Sequence, residues 1–197
     1  MKRTLASLPP LGLDGKRALV RVDFNVPLAD GKVTDDTRIQ AALPTIAYLR
    51  NKGARVVLFS HLGRPKGGPD PKYSLRPVAN ALEGLLGSPV TFIEDPLAEG
   101  SAIITKRLPR GGVALLENTR FYPGEEQNDP ELARGFAKLG DFYVDDAFGS
   151  AHRAHSCDDG GEEVGITGTF HVLDLVGANE GVVDPAHDDR HGVDRIE

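Results

Sequence analysis

Five residues able to bind anions lie in short polar stretches: Arg38, His61, Arg64, Arg120 and Arg153. An arginine guanidinium offers a planar fork of donors that matches phosphate and carboxylate oxygens, and it keeps its charge at neutral pH. Taken singly, each reads as a solvated surface cation. Converging on one concave site, they would hold a di- or trianionic small molecule. Asp23 and Asn25, in Arg21-Val-Asp-Phe-Asn-Val-Pro27, have two readings. They are either Asx-type turn residues before a proline or a carboxylate and an amide aimed at a ligand hydroxyl. The run His61-Leu-Gly-Arg-Pro-Lys-Gly-Gly-Pro69 is basic and glycine-rich, and glycines let backbone N–H groups approach an anion. No Gly-x-x-x-x-Gly-Lys-Ser/Thr loop exists in the chain, so nucleotide binding of that kind has no support.

Three other groups of residues carry less. His152 and His155 flank Arg153, but no third ligand completes a zinc spacing, and no metal site is expected. Cys157 lies near His155 without an orienting partner for a nucleophile, and reads as a plain small residue. His171, His187 and His191 sit among aspartates and read as solvated polar positions.

Elements that could position the anion-binding residues follow from hydrophobic period. Short β-branched runs occur at 18–23, 55–60, 90–93, 112–117 and 142–145, the length of buried strands. Between them lie stretches of helical spacing: 36 to about 52, 75–86, 97–108, and one starting at Asn128-Asp129-Pro130-Glu131, where an Asx cap, a first-turn proline and an early acid are start signals. The alternation predicts an α/β fold, a doubly wound, Rossmann-like parallel sheet in a three-layer αβα arrangement. Ligands in such sheets sit beyond the carboxyl ends of the strands. The polar motifs follow those ends.

Charge divides the chain. Residues 158–197 hold eleven acids against two bases, a net −9, which leaves +3 for residues 1–157. The body suits an anionic small molecule and is too weakly basic for nucleic acid. No apolar run reaches the roughly 20 residues of a membrane span, no secretory leader is visible, and a single cysteine suits a reducing compartment, so a cytoplasmic location is expected. Residues 158–197 lose the strand–helix period, apart from one candidate strand within 170–176, and the last stretch reads as disordered. The expected organisation is a domain over 1–157 and a divergent acidic tail over 158–197.

Four runs together resemble one family. They are Arg21-Val-Asp-Phe-Asn-Val-Pro27, Ser60-His-Leu-Gly-Arg-Pro-Lys-Gly67, Leu116-Glu-Asn-Thr-Arg-Phe121 and Asp146-Ala-Phe-Gly-Ser-Ala-His-Arg-Ala-His155. In this order and at these separations they are similar to the signatures of phosphoglycerate kinases, over roughly residues 10–157. The resemblance implies the N-terminal, acid-substrate domain of a normally two-domain, monomeric glycolytic kinase. It implies 3-phosphoglycerate or 1,3-bisphosphoglycerate as ligand. It places Asp23 and Asn25 at the glycerate part, Arg38 at the reacting carboxyl as the catalytic cation, and His61, Arg64, Arg120 and Arg153 around the substrate. Mg-ATP or Mg-ADP serves the complete family enzyme on its second domain. After Cys157 the family's nucleotide-domain motifs do not follow, so this chain is expected to bind no nucleotide itself and not to turn over alone. A truncated or frame-shifted product, a deliberate fragment and a stand-alone binding module are the three readings of that departure.

Overall fold

Burial of five consecutive apolar runs dictates the arrangement. In the computed structural model, residues 12–66, 68–127 and 129–147 are described, with the backbone of three short outlying strands. In chain order the strands are β1 (Arg3–Thr4), β2 (Arg17–Val22), β3 (Leu28–Ala29), β4 (Lys32–Val33), β5 (Arg55–Phe59), β6 (Val90–Ile93), β7 (Val113–Leu116), β8 (Phe142–Asp146), β9 (Thr169–His171) and β10 (Val182–Val183). The helices are α1 (Thr37–Asn51), α2 (Arg76–Leu86), α3 (Ser101–Arg107) and α4 (Pro130–Ala137). Six strands form one sheet in the order β6-β7-β5-β2-β8-β9, with every pairing parallel. All residues of β2 and β7 are buried, as strands covered on both faces must be.

The α/β reading is correct, and the departures from it are local. The candidate strand in the tail falls at Thr169–His171 and pairs with β8. The third helix is shorter than its hydrophobic pattern, because the chain turns first: Asp95 Oδ1 accepts the Leu97 amide at 3.1 Å, and the Ser101 hydroxyl donates to the Asp95 carbonyl at 2.6 Å. The fourth starts where its signals stand, with Asp129 Oδ1 accepting the Glu131 amide at 2.8 Å and Pro130 in the first turn. The β3–β4 hairpin lies outside the predicted elements. Its turn is Asp30-Gly31, both at positive φ (50° and 71°), and Asp-Gly is a strong short-range hairpin signal.

Packing fixes the two ends of the sheet differently. At the amino end, the buried Arg17 guanidinium donates to Asp141 Oδ1 at 2.6 Å, to the Lys138 carbonyl at 2.9 Å, and to Thr105 Oγ1 and the Gly140 carbonyl at 3.2 Å. Over the middle, Phe59 of β5 stacks on Phe136 of α4 with centroids 6.1 Å apart, and Tyr122 meets Phe136 edge-on at 5.8 Å. With the strands held at their amino end and over their middle, the loops at the carboxyl edge begin from fixed points. β2 lies between β5 and β8 in that edge, where the chain's winding reverses direction.

Candidate functional site

The loops after β2, β5 and β7 meet at this carboxyl edge. The Arg38 guanidinium, in the first turn of α1, forms an ion pair with Asp23 Oδ2, and the Asn25 amide donates to Asp23 Oδ1 at 3.2 Å. Asn25 Oδ1 accepts the Gly63 amide at 2.9 Å. The Gly63 carbonyl accepts from Arg120 Nη1 at 2.9 Å. Asp23, Asn25, Arg38 and Arg120 therefore belong to one continuous polar chain that passes through Gly63. The Asp23-Phe-Asn25 motif makes a local Asx turn, and its Asp23 carboxylate also pairs with Arg38.

Gly63 is required where it stands. Its φ is +61°, and a Cβ there would meet Tyr73 Cδ1 at 2.4 Å. His61 and Arg64 flank this turn; His61 is half-buried, and Arg64 is exposed beside it. Arg120 is tied inward as well. Its side chain is 14% exposed, and it lies 3.7 Å from the fully buried Glu125 carboxylate and 3.5 Å from Glu126. Arg153, the residues His152, His155 and Cys157, and the tail's side chains lie outside the described residues.

Two residues that the motifs contained without a role bind the loops together. Asn118 is fully buried. Its Oδ1 accepts the Leu62 and Arg120 amides, each at 3.1 Å, and its Nδ2 donates to the Leu62 carbonyl at 2.8 Å and the Tyr73 carbonyl at 2.9 Å. Glu117 accepts the Leu75 amide at 2.8 Å, the Asn118 amide at 2.7 Å and the Ser74 hydroxyl at 2.7 Å, so its carboxylate serves the unpaired donors at the start of α2. Ser60 completes the set: its hydroxyl accepts the Phe24 amide at 2.9 Å and joins the β2 and β5 loops. The sequence signal for all three was their place inside the polar runs after strands.

Ionisation is shifted at the margins. The Thr37 hydroxyl and amide, bonded at 2.5 and 2.9 Å, hold the Asp35 carboxyl below its usual range, helped by Arg38. At the end of β8, burial pushes Asp146 up to about 7, with the neighbouring Asp145 adding to the rise against a hydrogen bond from Thr45. Asp146 Oδ2 is buried without a hydrogen-bond partner among the described residues.

A cavity of roughly 840 Å³ opens elsewhere, between the turn before α2 and the ends of β6 and β7. Its charged walls are Asp70, Glu94, Asp95 and Glu117 against one cation, Arg76, which pairs with Glu94 and covers the Phe92 ring at 4.5 Å. That sign repels a phosphorylated acid, and none of the predicted anion-binding residues lines it. The cavity is therefore a poor match for an anion, whereas the predicted anion-binding residues among those described lie on the surface around Gly63. Among the described residues, no group of three or more His, Cys, Asp or Glu side chains could hold a metal ion.

Comparison with known proteins decides the family. The family model for phosphoglycerate kinase matches residues 8–168. The chain belongs to the phosphoglycerate kinase family. The match extends past residue 157, into the segment of altered composition. Phosphoglycerate kinase of Fervidobacterium nodosum is 58% identical over 144 residues, which are 73% of this chain and 36% of that protein. That of Zymomonas mobilis is 58% identical over 146 residues, 74% of this chain and 37% of that protein. The solved phosphoglycerate kinase of Coxiella burnetii superposes with a TM-score of 0.73 at 38% identity, covering 85% of this chain and 41% of that one. The chain thus spans about two fifths of the length of the family members it matches. No helix among the described residues is long and apolar enough to cross a membrane.

Proposed function

We propose that this chain carries the acid-substrate site of a phosphoglycerate kinase and binds 3-phosphoglycerate or 1,3-bisphosphoglycerate at the carboxyl edge of its sheet. The observation that supports this best is the shared network in which Asp23, Asn25, Gly63 and Arg120 join three loops while Arg38 and Arg64 remain exposed beside them. Arg38 would lie at the substrate carboxyl, oriented by Asp23. Asp23 and Asn25 would face the glycerate hydroxyl, and His61, Arg64, Arg120 and Arg153 would surround the ligand. The location proposed for such a chain is the cytoplasm, and its state a monomer.

The reaction would be the reversible transfer of a phosphoryl group between 1,3-bisphosphoglycerate with ADP and 3-phosphoglycerate with ATP. In such transfers the protein mostly positions groups and neutralises charge. The acceptor carboxylate is already a nucleophile, so a site of arginines without a general base is chemically sufficient. A fixed cation facing the charge that develops in flight contributes several kcal/mol. The Mg-nucleotide is expected on the family's second domain, so no step through that group is assigned to the residues of this chain. This chain by itself is expected to bind without turnover.

Calorimetric titration with 3-phosphoglycerate tests the reading. Saturable heat whose affinity is weakened in Arg38→Ala and in Arg64→Ala supports it. Heat unchanged by both substitutions, or no heat from the parent chain, overturns it. A coupled assay separates a kinase from a binding fragment: turnover by the chain alone would overturn the expectation of binding without catalysis.

A further inference from the structure

The amide of Asn118 holds two segments to its own loop, and all of its bonds are internal. Its side chain can accept two hydrogen bonds and donate two. All four are made, to Leu62 N, Arg120 N, Leu62 O and Tyr73 O, at 2.8–3.1 Å. Leu62 is gripped at both ends of its own residue. It stands between His61 and Gly63, with Arg64 two positions on. Tyr73 is the residue whose ring lies under Gly63, and Arg120 returns to the Gly63 carbonyl. Every partner of the amide is thus within one contact of the Gly63 turn. Asn118 itself is fully buried, so it does not reach a ligand.

From this we infer that Asn118 is a positioning residue: it sets the register of the His61–Arg64 turn against Arg120, and so the spacing of the cations presented to the substrate's phosphate. This rests on the function proposed above. A bidentate guanidinium contact is sensitive to displacements well under the length of a hydrogen bond, so a turn that slips costs affinity without any ligand contact being deleted. Two further details favour register over simple packing. Asn118 also accepts the amide of Arg120, which caps the short 3-10 turn Thr119–Phe121, so one side chain starts the Arg120 turn and clamps the His61–Arg64 turn. The Thr119 amide and hydroxyl both donate to the Ser60 carbonyl, at 3.1 and 3.3 Å, so the two loops are already joined beside the strands. The amide of Asn118 is then needed only for the geometry beyond that junction.

The test uses the full chain with Asn118→Ala and Asn118→Ser. Serine is a good cap and keeps the bond to the Arg120 amide, while it releases Leu62 and Tyr73. It is the variant that should fold if alanine does not. Affinity for 3-phosphoglycerate is measured by calorimetry well below the melting temperature of each variant, alone and combined with Arg64→Ala. The expected result is an affinity loss of roughly tenfold or more for Asn118→Ser, with most of that loss absent when Arg64 is already alanine. A loss that is the same on both backgrounds is the mark of a generally weakened fold and would overturn the inference. Amide exchange at Leu62, Gly63 and Arg120 is read in the same samples without ligand. Faster exchange at these positions with unchanged protection in β2 and β5 supports the positioning role; unchanged exchange overturns it. If the parent chain gives no heat with 3-phosphoglycerate, the proposed function falls, and the exchange data still decide whether Asn118 sets the turn.

Discussion

Asn25 Oδ1 accepts the backbone amide of Gly63 at 2.9 Å, and this bond, with that between Ser60 and Phe24, ties the loop after β2 to the loop after β5. The consequence lies in Gly63, because its left-handed backbone is both a donor to Asn25 and an acceptor from Arg120.

Gly63→Ala should be costly in two ways. The alanine would have to hold a φ of +61° with its Cβ 2.4 Å from the Tyr73 ring. Strain of this type costs about 1–3 kcal/mol, and the ring must also shift. Gly31→Ala is the control, since its φ is +71° but nothing lies within 4 Å of the added carbon. Urea melts should show a larger loss for Gly63→Ala than for Gly31→Ala, and only the former should weaken 3-phosphoglycerate binding. Equal losses would show that the Tyr73 contact is unimportant.

Arg38→Ala should separate binding from stability. The Arg38 side chain is 51% exposed and Asp23 21%, and ion pairs in such settings contribute about 0–1 kcal/mol. Thermal midpoints should therefore barely move. Loss of a charge-assisted contact to a carboxylate or phosphate is worth roughly 1.5–3 kcal/mol, or about ten- to a hundredfold in affinity. Lysine at this position restores charge without the fork, so Arg38→Lys should fall between parent and alanine. A midpoint that drops as much as the affinity does would assign Arg38 to the fold instead.

Asp146 predicts a pH dependence of stability. Its carboxyl is raised from 3.8 to about 7, chiefly by burial. Between these values the folded chain keeps a proton that the unfolded chain has released. Stability from this group is thus fully present at low pH and falls as pH rises through about 7. Asp141 acts with the opposite sign: burial pushes its carboxyl up, but the hydrogen bonds and charge of Arg17 outweigh this and hold it below 3.8, so its contribution is lost only in stronger acid. Asp146→Asn should flatten the fall between pH 4 and 7, and should be more stable than the parent at pH 8, by denaturant melts. A parent slope that persists in Asp146→Asn would place the titration elsewhere.

The sheet was legible because its inner strands are buried on both faces, and runs such as Val113–Leu116 carry no competing helical period. The site was legible through its polar runs, since Asp23, Asn25, His61, Arg64 and Arg120 each sit one to five residues beyond a buried strand. What the sequence could not show is how those groups pair. Nothing in Leu116-Glu-Asn-Thr-Arg-Phe121 tells that Asn118 turns inward to Leu62 and Tyr73, or that Arg120 meets Glu125. Those partners are far apart in sequence, and their meeting depends on the register of three strands. The Ser101–Arg107 helix was overextended for a related reason: Asp95 captures the Leu97 amide locally, and an Asx turn competes with helix at no cost in hydrophobic pattern.

Arg17 provides the complementary test, at the end of β2 away from the site. Its side chain is 9% exposed and gives hydrogen bonds to Asp141, Thr105, Lys138 and Gly140. Asp141 is 35% exposed, and water can replace the cation there. The buried acceptors Thr105 Oγ1 and the Gly140 carbonyl, however, lose a charged donor, each such bond being worth about 1.5–3 kcal/mol. Arg17→Ala should therefore lower the urea midpoint far more than Arg38→Ala does. Because Arg17 precedes the buried length of β2 and the binding loops follow it, affinity per folded molecule should be unchanged at low temperature. The paired result, stability lost at Arg17 with binding kept and binding lost at Arg38 with stability kept, would assign the two ends of the strand to different tasks. If binding is lost in Arg17→Ala at temperatures where circular dichroism shows the fold intact, the carboxyl-edge loops take their geometry from the far end of the sheet as well.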